Sequence, residues 1–488
     1  MVNNPQTLKT LFNIESSVII NELVTDSRKK SQNSIFFCVQ GIANDGHKFI
    51  EDAIANGAVC IVHSMPLTNA VEGIHYILVD DVLSELNRVV NIFYKHPSEK
   101  LDVFAITGTN GKTSVSRIIS DMLNHEVNTG YIGTINIAYN NREITANYTT
   151  PEVIDLHHVM NDMVNDNVKA LAIEVSSHSI VQRRVEALAY DYAIFTNLTH
   201  EHLDYHGTIE NYFAAKAQLF EHLNEDQVAI INIDDEYGLK LMDYDIKHKI
   251  SYAIDKEADY QAINVVYGIN DTQFDVLYKG EIYPFVTNLV AKFNVSNLLA
   301  AIAALHHYGI SMINLQAYAK MIKQISGRVE KISFNDRFQV IVDYAHTPDG
   351  FLKLFTYAKD IAKDHRVISV FGSAGERDIL KRSILGEIAD KYSDMIILTA
   401  DDPRKENVMD ISKQIAEKIR QNYIVIENRY DAIYQAIELA NTGDIVLVLG
   451  KGNDQYMALQ NGKEPYIGDV EIVKEILEEY LDKEQNYE

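Results

Sequence analysis

The run Ile106-Thr107-Gly108-Thr109-Asn110-Gly111-Lys112-Thr113-Ser114 constrains this chain more than any other stretch. It follows the apolar residues Val103-Phe104-Ala105 and leads into a helical pattern with Val115, Ile118, Ile119 and Met122 on one face. Strand, glycine loop and helix, in that order, let bare backbone N–H groups and a helix N-terminus wrap a phosphate. Gly108, Thr109, Asn110, Gly111 and Ser114 would shape the cradle. Lys112 would reach the outer phosphates, and the Thr113 hydroxyl would hold Mg²⁺. A standard P-loop has its first glycine where Ile106 stands, so this loop is two residues shorter. An ordinary strand-to-helix turn is the alternative, but Gly-Lys-Thr at such a junction speaks for a nucleoside triphosphate.

At 488 residues the chain exceeds one ordinary core, and about three domains are expected. With 47% apolar and 23% charged residues it has the composition of a soluble globular protein. No apolar run is long enough to cross a bilayer. Met1 to Gln6 lack the basic and apolar regions of a signal peptide, so a cytoplasmic location is expected. Cys38 and Cys60 lie in apolar contexts and read as small core residues. The net charge of −25 argues against nucleic acid or an anionic membrane as partner. An anionic small substrate, which feels only its local site, remains compatible. A monomer is expected.

Three regions separate by pattern. Residues 1–98 alternate short apolar strands (Ser34 to Val39, Val59 to His63, Tyr76 to Val79) with helical stretches and end at Lys95-His96-Pro97-Ser98. Residues 99–327 carry strand-like runs at Val103 to Ile106, Ala170 to Glu174, Tyr192 to Thr196 and Val228 to Ile233. That spacing predicts a P-loop-type, mostly parallel sheet with helices on both faces. Residues 328–488 repeat the alternation, with runs at Gln339 to Val342, Val367 to Phe371, Met395 to Thr399 and Asp444 to Leu449. The whole reads as an α/β protein of three domains whose last is Rossmann-like in size, although no Gly-x-Gly-x-x-Gly occurs. Glu471 to Glu488 reads as an acidic amphipathic helix with a solvated face.

Chemistry-bearing residues gather at strand ends, where ligands of such sheets bind. Glu174 closes the run Ala172-Ile173-Glu174-Val175-Ser176-Ser177-His178 and could hold Mg²⁺ or be an ordinary strand-end acid. Phe195 to Gly207 contains His200, Glu201, His202, Asp204 and His206. Zinc is one reading, but a nucleotide–Mg²⁺ centre already accounts for ligands here, with His202 favoured and Asp204 and His206 as supporting or solvated residues. Lys216 stands in a helix that is otherwise apolar or small. Such a lysine usually snorkels to water; the other possibility is entry into the metal site, as a cation or as a carbamate.

Taken together, Thr107 to Thr113, Glu174 to His178, His202 to Gly207, Ser326-Gly327-Arg328-Val329-Glu330, Asp343-Tyr344-Ala345-His346-Thr347-Pro348 and Asp401-Asp402-Pro403-Arg404 resemble the Mur ligases in order and spacing. The resemblance runs from about residue 20 to 475 and is strongest to the tripeptide-synthetase branch, which adds the third residue of the peptidoglycan stem. It implies a uridine-end domain, a central ATP domain and a last domain that brings in the amino acid. It also implies an ATP-dependent amide ligase that activates the D-glutamyl carboxylate of UDP-MurNAc-L-Ala-D-Glu as an acyl phosphate. Carried over by position, Thr113, Glu174 and His202 would serve the metal, and Lys216 matches the lysine carbamylated in the family. Asn294 and Asn297 match adenine-side asparagines; read without the resemblance, they could simply cap a helix from Leu298 to Leu305. Arg328, Asp343 and His346 would approach the nucleotide from the last domain. Thr149, Thr150, Ser176, Gln182 and Arg184 match residues that grip the UDP-MurNAc-dipeptide, and Ser27 matches the uridine-site serine. Without the resemblance Thr25 to Arg28 is a surface turn.

The same resemblance places the choice of amino acid at Arg377, Asp401, Asp402, Pro403, Arg404, Gly450 and Asp454. Arg404 favours the extra carboxylate of meso-diaminopimelate. Asp402 and Asp454 stand where asparagine and glutamate are usual; the negative charge added at Asp402 favours the ammonium of L-lysine, and an arginine facing two aspartates would be neutralised. A diamino acid is expected, with the two candidates level. Tyr148 and Asn453 also depart from the family pattern, as does Ala291 at a common glycine position. Tyr148 and Asn453 leave room for a paralogue that joins an amino acid to another carboxylate. A non-catalytic nucleotide-binding regulator is a further alternative, against which Lys112, Glu174 and His202 all stand.

Overall fold

The computed structural model describes residues 6–485 apart from 42–43, 68–69, 222, 269–270 and 335–336, with backbone alone over 481–485. The signal-peptide reading of Met1 to Pro5 and the last three residues of the tail lie outside the described residues. The chain is α/β and divides into two compact units, residues 1–105 with 127–191, and residues 106–126 with 192–488.

In the first unit four parallel strands, Glu22–Val24, Ser34–Phe37, Ala58–His63 and His75–Leu78, lie side by side in chain order. Their apolar runs are continuous because both faces are covered. Ile35, Phe37, Cys60 and Val62 pack on Leu86, Val89 and Val90 of the helix Val82–Phe93. Phe36, Cys38 and Ile61 face the other way, toward Ala53. Cys38 and Cys60 are free and buried, as their apolar contexts require, and burial pushes both thiols up to about 12. A second set of strands joins Thr129–Ile132 in parallel to Ala170–Glu174 and ends in the antiparallel hairpin Ile137–Tyr139 and Arg142–Ile144.

The second unit opens on the glycine loop and the helix Lys112–Leu123, whose buried face includes Val115, Ile118, Ile119 and Met122. Strands Tyr192–Phe195, Val228–Asn232 and Lys249–Ala253 run parallel, and Tyr260–Tyr267, Thr272–Tyr278 and Glu281–Thr287 continue as an antiparallel meander. The helix Lys292–Tyr308 packs on Lys112–Leu123. Beyond it, Phe338–Asp343, Ile445–Leu449, Val367–Phe371, Met395–Leu398 and Tyr423–Val425 form a parallel sheet in that order, with Glu330–Phe334 antiparallel at its edge. Phe351, Phe355 and Leu385 cover one face, and Ile433, Ile437, Val473 and Ile476 the other. The tail helix spans Asp469–Gln485. Expected strand ends move by a residue or two, as ladder bonds and not apolarity set the limits: the run from Ser34 stops at Phe37. Among the described residues no helix is long and apolar enough to cross a membrane.

Candidate functional site

The glycine loop owes its shape to two residues in the left-handed region. Gly108 has φ +148° and Gly111 φ +90°. A Cβ on Gly108 would overlap the Thr196 hydroxyl, and one on Gly111 would lie 2.5 Å from Asn297 Oδ1. The loop is tied to the end of the strand Tyr192–Phe195: the Thr109 N–H donates to the Asn197 carbonyl (2.8 Å), the Asn110 N–H to Asn197 Oδ1 (2.9 Å), and the Thr196 hydroxyl to the Asn110 carbonyl (2.7 Å). Lys112 folds over the loop, its Nζ donating to the carbonyls of Gly108 (2.9 Å) and Thr109 (2.8 Å). Lys216 Nζ donates to the same Gly108 carbonyl at 2.7 Å and lies 4.7 Å from the Tyr212 ring centre. The snorkelling alternative for Lys216 is therefore corrected: the side chain is 1% exposed. Burial, with the charge of Lys112, drives its ammonium well below the usual lysine range.

Beside the loop opens a cavity of about 630 Å³ whose lining includes Asn110, Gly111, Ser114, Asn294, Asn297 and Arg328. The capping alternative for the asparagines also fails. The helix begins at Lys292, so both lie inside its first turns, buried, with Asn294 Nδ2 bonded to the Val290 carbonyl and Asn297 Nδ2 to Asn294 Oδ1. Arg328 donates to the Thr113 hydroxyl (3.2 Å) and lies over the Tyr344 ring. Asp343 holds its turn by accepting from the N–H groups of Val329 (2.7 Å) and Ala345 (2.6 Å). Burial raises its carboxyl although Arg328 opposes this. Asp349, which no sequence pattern singled out, accepts from Asn110 Nδ2 at 3.0 Å.

The histidine-rich segment forms a short helix, Leu203–His206. Its anionic centre is Glu201, not one of the predicted residues. His346 Nε2 lies 2.8 Å and His202 Nε2 3.7 Å from its carboxylate. Burial alone would raise the Glu201 carboxyl; His202, His346 and Lys112 together hold it well below the carboxylate range. Asp204 lies 3.8 Å from Arg377, and His206 is buried, its ring centre 5.0 Å from that of Tyr212. Among the described residues no group of three His, Cys, Asp or Glu side chains is placed to hold a metal, so the zinc alternative gains nothing here.

A second cavity, of about 230 Å³, lies at the carboxyl ends of the last sheet and is lined by Arg377, Asp401, Asp402, Arg404, Gly450, Lys451 and Asp454 among others. Gly450, at φ +109°, is required because a Cβ there would overlap Asp401. Pro403 shapes the turn through its carbonyl, which accepts the Glu406 N–H at 3.0 Å. The expectation that Asp402 and Asp454 neutralise Arg404 is corrected. Their cation is Lys451, buried, with Nζ 2.8 Å from Asp402 Oδ1 and 3.3 Å from Asp454 Oδ2. Arg404 Nη1 donates to the Gly375 carbonyl at 3.1 Å. Two further buried arginines brace the rim. Arg429 pairs with Asp469 (2.7 Å) and donates to the carbonyls of Ala400 and Leu449, while Arg382 pairs with Glu406 (2.7 Å) and donates to that of Ala374.

In the first unit Thr149, Thr150, Ser176, Gln182 and Arg184 come together around Glu174. The Glu174 carboxylate is buried and accepts from the Tyr131 hydroxyl (2.7 Å), the Thr134 N–H (2.8 Å) and the Thr134 hydroxyl (3.1 Å). Thr149 meets the Thr134 hydroxyl at 3.0 Å. The Thr150 hydroxyl donates to the Glu174 carbonyl and accepts from the Ser176 N–H. Arg184 bonds the Thr150 carbonyl (3.0 Å), Gln182 Oε1 (2.5 Å) and Glu152 (2.7 Å), its guanidinium 4.7 Å from the Tyr148 ring centre. Ser27 sits in the expected turn, buried, its carbonyl accepting from Asn56 Nδ2, while Asp26 and Arg28 pair outside it. Glu174 thus belongs to the first unit, and Thr113, His202 and Lys216 to the second.

Three family models match consecutive parts of the chain: the Mur ligase family catalytic domain over residues 19–105, the Mur ligase middle domain over 106–305, and the Mur ligase glutamate ligase domain over 327–452. The UDP-N-acetylmuramoyl-L-alanyl-D-glutamate–2,6-diaminopimelate ligase 1 of Clostridium acetobutylicum is 38% identical over 95% of this chain and 96% of its own length. The enzyme so named from Aquifex aeolicus is 37% identical over 98% of both. A solved UDP-N-acetylmuramoyl-L-alanyl-D-glutamate–2,6-diaminopimelate ligase superposes with TM-score 0.70 at 27% identity, covering 98% of this chain and 99% of its own.

Proposed function

This chain belongs to the Mur ligase family, and from that premise we propose that it uses ATP to join 2,6-diaminopimelate to UDP-N-acetylmuramoyl-L-alanyl-D-glutamate. Relatives bearing that name match it over nearly its whole length. The observation that carries the reading is the glycine cradle, closed to any side chain at Gly108 and Gly111 and served by two lysines that share the Gly108 carbonyl.

The chemistry sets an electrostatic problem. A glutamyl carboxylate oxygen attacks the γ-phosphorus of ATP, the bond to the bridging oxygen breaks and ADP leaves. The amine then attacks the acyl phosphate, an amide forms, and phosphate and a proton depart. In the first step anion meets anion, so positive charge must stand at the site beforehand. Lys112 has only to turn from two loop carbonyls to reach a phosphate, and Arg328, poised at the Thr113 hydroxyl, adds a second cation. We assign the cavity beside Asn294 and Asn297 to the nucleoside. Ser114 lines the same wall, and His346, bonded to Glu201, borders it.

Hard donors of the kind present, a threonine hydroxyl and a carboxylate, fit Mg²⁺. Within the second unit Thr113 and His202 are the ligands we assign to it, Glu174 of the first unit is a candidate taken by itself, and bound Mg²⁺ would supply further charge neutralisation at the phosphates. Lys216 is poised for carbamylation, since its amine is held toward the neutral form that adds to carbon dioxide with release of a proton. Thr149, Thr150, Ser176, Gln182 and Arg184 are assigned to the acceptor, with Ser27 on its uridine end. Arg377, Asp401, Asp402, Pro403, Arg404, Gly450 and Asp454 are assigned to the amino acid. On this reading the chain works as three domains, 1–98, 99–327 and 328–488, a division supported by the three matched segments.

The test is phosphate release with product mass. Release that requires ATP, the UDP-dipeptide and diaminopimelate together supports the ligase. Release with another carboxylate acceptor alone would make the chain a paralogous ligase. ATP binding without any amino-acid-dependent release would make it a non-catalytic nucleotide binder.

A further inference from the structure

We propose that Lys451 determines amino-acid specificity: it cancels charge on Asp402 and Asp454 inside the small cavity and so keeps Arg404 available for a carboxylate at the far end of a diamino diacid. The inference rests on the ligase reading above and names the residue that sets its substrate class.

The geometry supports this on three counts. Lys451 Nζ reaches both aspartates, at 2.8 and 3.3 Å, from a position 1% exposed. Neighbouring cations are engaged elsewhere: the Arg429 guanidinium is committed to Asp469, Arg404 Nη1 turns to the Gly375 carbonyl, and Lys381 Nζ donates to the His346 carbonyl at 3.0 Å. Asp402 cannot swing away, because its Oδ1 also accepts the Ala458 N–H at 2.8 Å and its backbone is held at φ +45°. Two carboxylates so fixed need a cation between them to remain charged together. Burial would strip the Lys451 proton, but Asp454, Asp402 and Asp401 hold its ammonium above the usual lysine value.

Counting charges shows the consequence. Lys451 with Asp402 and Asp454 sums locally to −1, which pairs with a ligand ammonium, while Arg404, with Arg377 and Lys381 on the same lining, offers positive charge to a ligand carboxylate. That pattern complements a zwitterionic amino-acid end, such as 2,6-diaminopimelate carries at both ends. Without Lys451 Asp402 and Asp454 stand as an uncompensated −2 at their end of the cavity, a field that suits the lone ammonium of L-lysine and repels the extra carboxylate.

The experiment compares kcat/KM for meso-diaminopimelate and L-lysine in wild type, Lys451→Met, Asp402→Asn and the double variant, with melting temperatures as a check on folding. Lys451→Met is expected to lower the diaminopimelate-to-lysine ratio roughly 100-fold, chiefly through a raised KM for diaminopimelate. Removing one aspartate as well should restore most of that ratio, because the −1 charge returns, while Asp402→Asn alone should move the ratio the opposite way. A ratio unmoved in a folded Lys451→Met enzyme, or a folded double variant that fails to recover, overturns the inference alone. Should Lys451→Met be inactive with both amino acids, the double variant decides in the same way. A wild-type enzyme that ligates neither amino acid overturns the ligase reading and the inference with it.

Discussion

The glycine cradle proposed for the nucleotide and the small cavity proposed for the amino acid lie in the same compact unit but are built by opposite means. The cradle is made of backbone: two left-handed glycines, a helix N-terminus, and amides of one short loop tied to a strand end brought in from elsewhere in the chain. The cavity is made of charges: Lys451 with Asp402 and Asp454, Arg429 with Asp469, Arg382 with Glu406, each pair but one joining distant parts of the chain. A backbone cradle suits one invariant ligand group, such as the phosphate proposed for it, and tolerates little change. A charge network can be retuned one residue at a time, which suits the part of a ligase that selects among amino acids.

That contrast can be broken at several points, beginning with the largest effect. Lys112→Ala should reduce phosphate release at least about 1000-fold with every amino acid tried, since it removes the cation that meets the triphosphate. Near-normal turnover would sink the cradle mechanism. Gly108→Ala should do comparable damage without touching a charge, read as loss of ATP binding in calorimetry. Arg429→Met should instead act on stability, lowering the unfolding free energy by about 3 kcal/mol in urea titration because Asp469 is left charged and unpaired in the interior. A change below about 1 kcal/mol would show that the rim does not depend on that pair.

Lys216→Ala sharpens the comparison from the cradle side. Activity should fall roughly 100-fold, and a short carboxylate should restore part of it where the carbamate is the working form. Absence of rescue by formate or acetate would count against carbamylation. The smallest effect is expected at Ala291, which precedes the helix Lys292–Tyr308 at φ +75° and ψ +148°, a region where a Cβ is strained. Ala291→Gly should raise stability by about 1 kcal/mol in the same titration, because relief of strain outweighs the extra freedom of glycine in the unfolded chain.

Much of the fold was legible because it follows local rules. The glycine loop, the helix face of Val115, Ile118, Ile119 and Met122, and the buried parallel strands depend on periodicity and on residues adjacent in sequence. The tail helix was legible for the same reason. Local rules also misled. Asn294 and Asn297 have the identity of capping residues, yet the helix starts two residues before the first of them because the chain enters it through Ala291. What stayed hidden depends on which charges tertiary packing brings together. Lys451 stood inside a motif noted only for Gly450 and Asp454, and pairing it with Asp402 spans 49 residues. Glu201 stood in sequence as one acid among three histidines, whereas its contact with His346 makes it the anionic centre of its segment. Asp349 and Arg429 carried no motif at all.

On the proposed function the cradle supplies a general ATP-driven activation and the cavity chooses a diamino diacid. A single competition tests it: purified enzyme with ATP, Mg²⁺, UDP-MurNAc-L-Ala-D-Glu and equal concentrations of meso-diaminopimelate and L-lysine, with the product read by mass spectrometry. The expected product is heavier by one diaminopimelate residue, with one phosphate released for each. A product carrying lysine, or phosphate release with no amide formed, would contradict it.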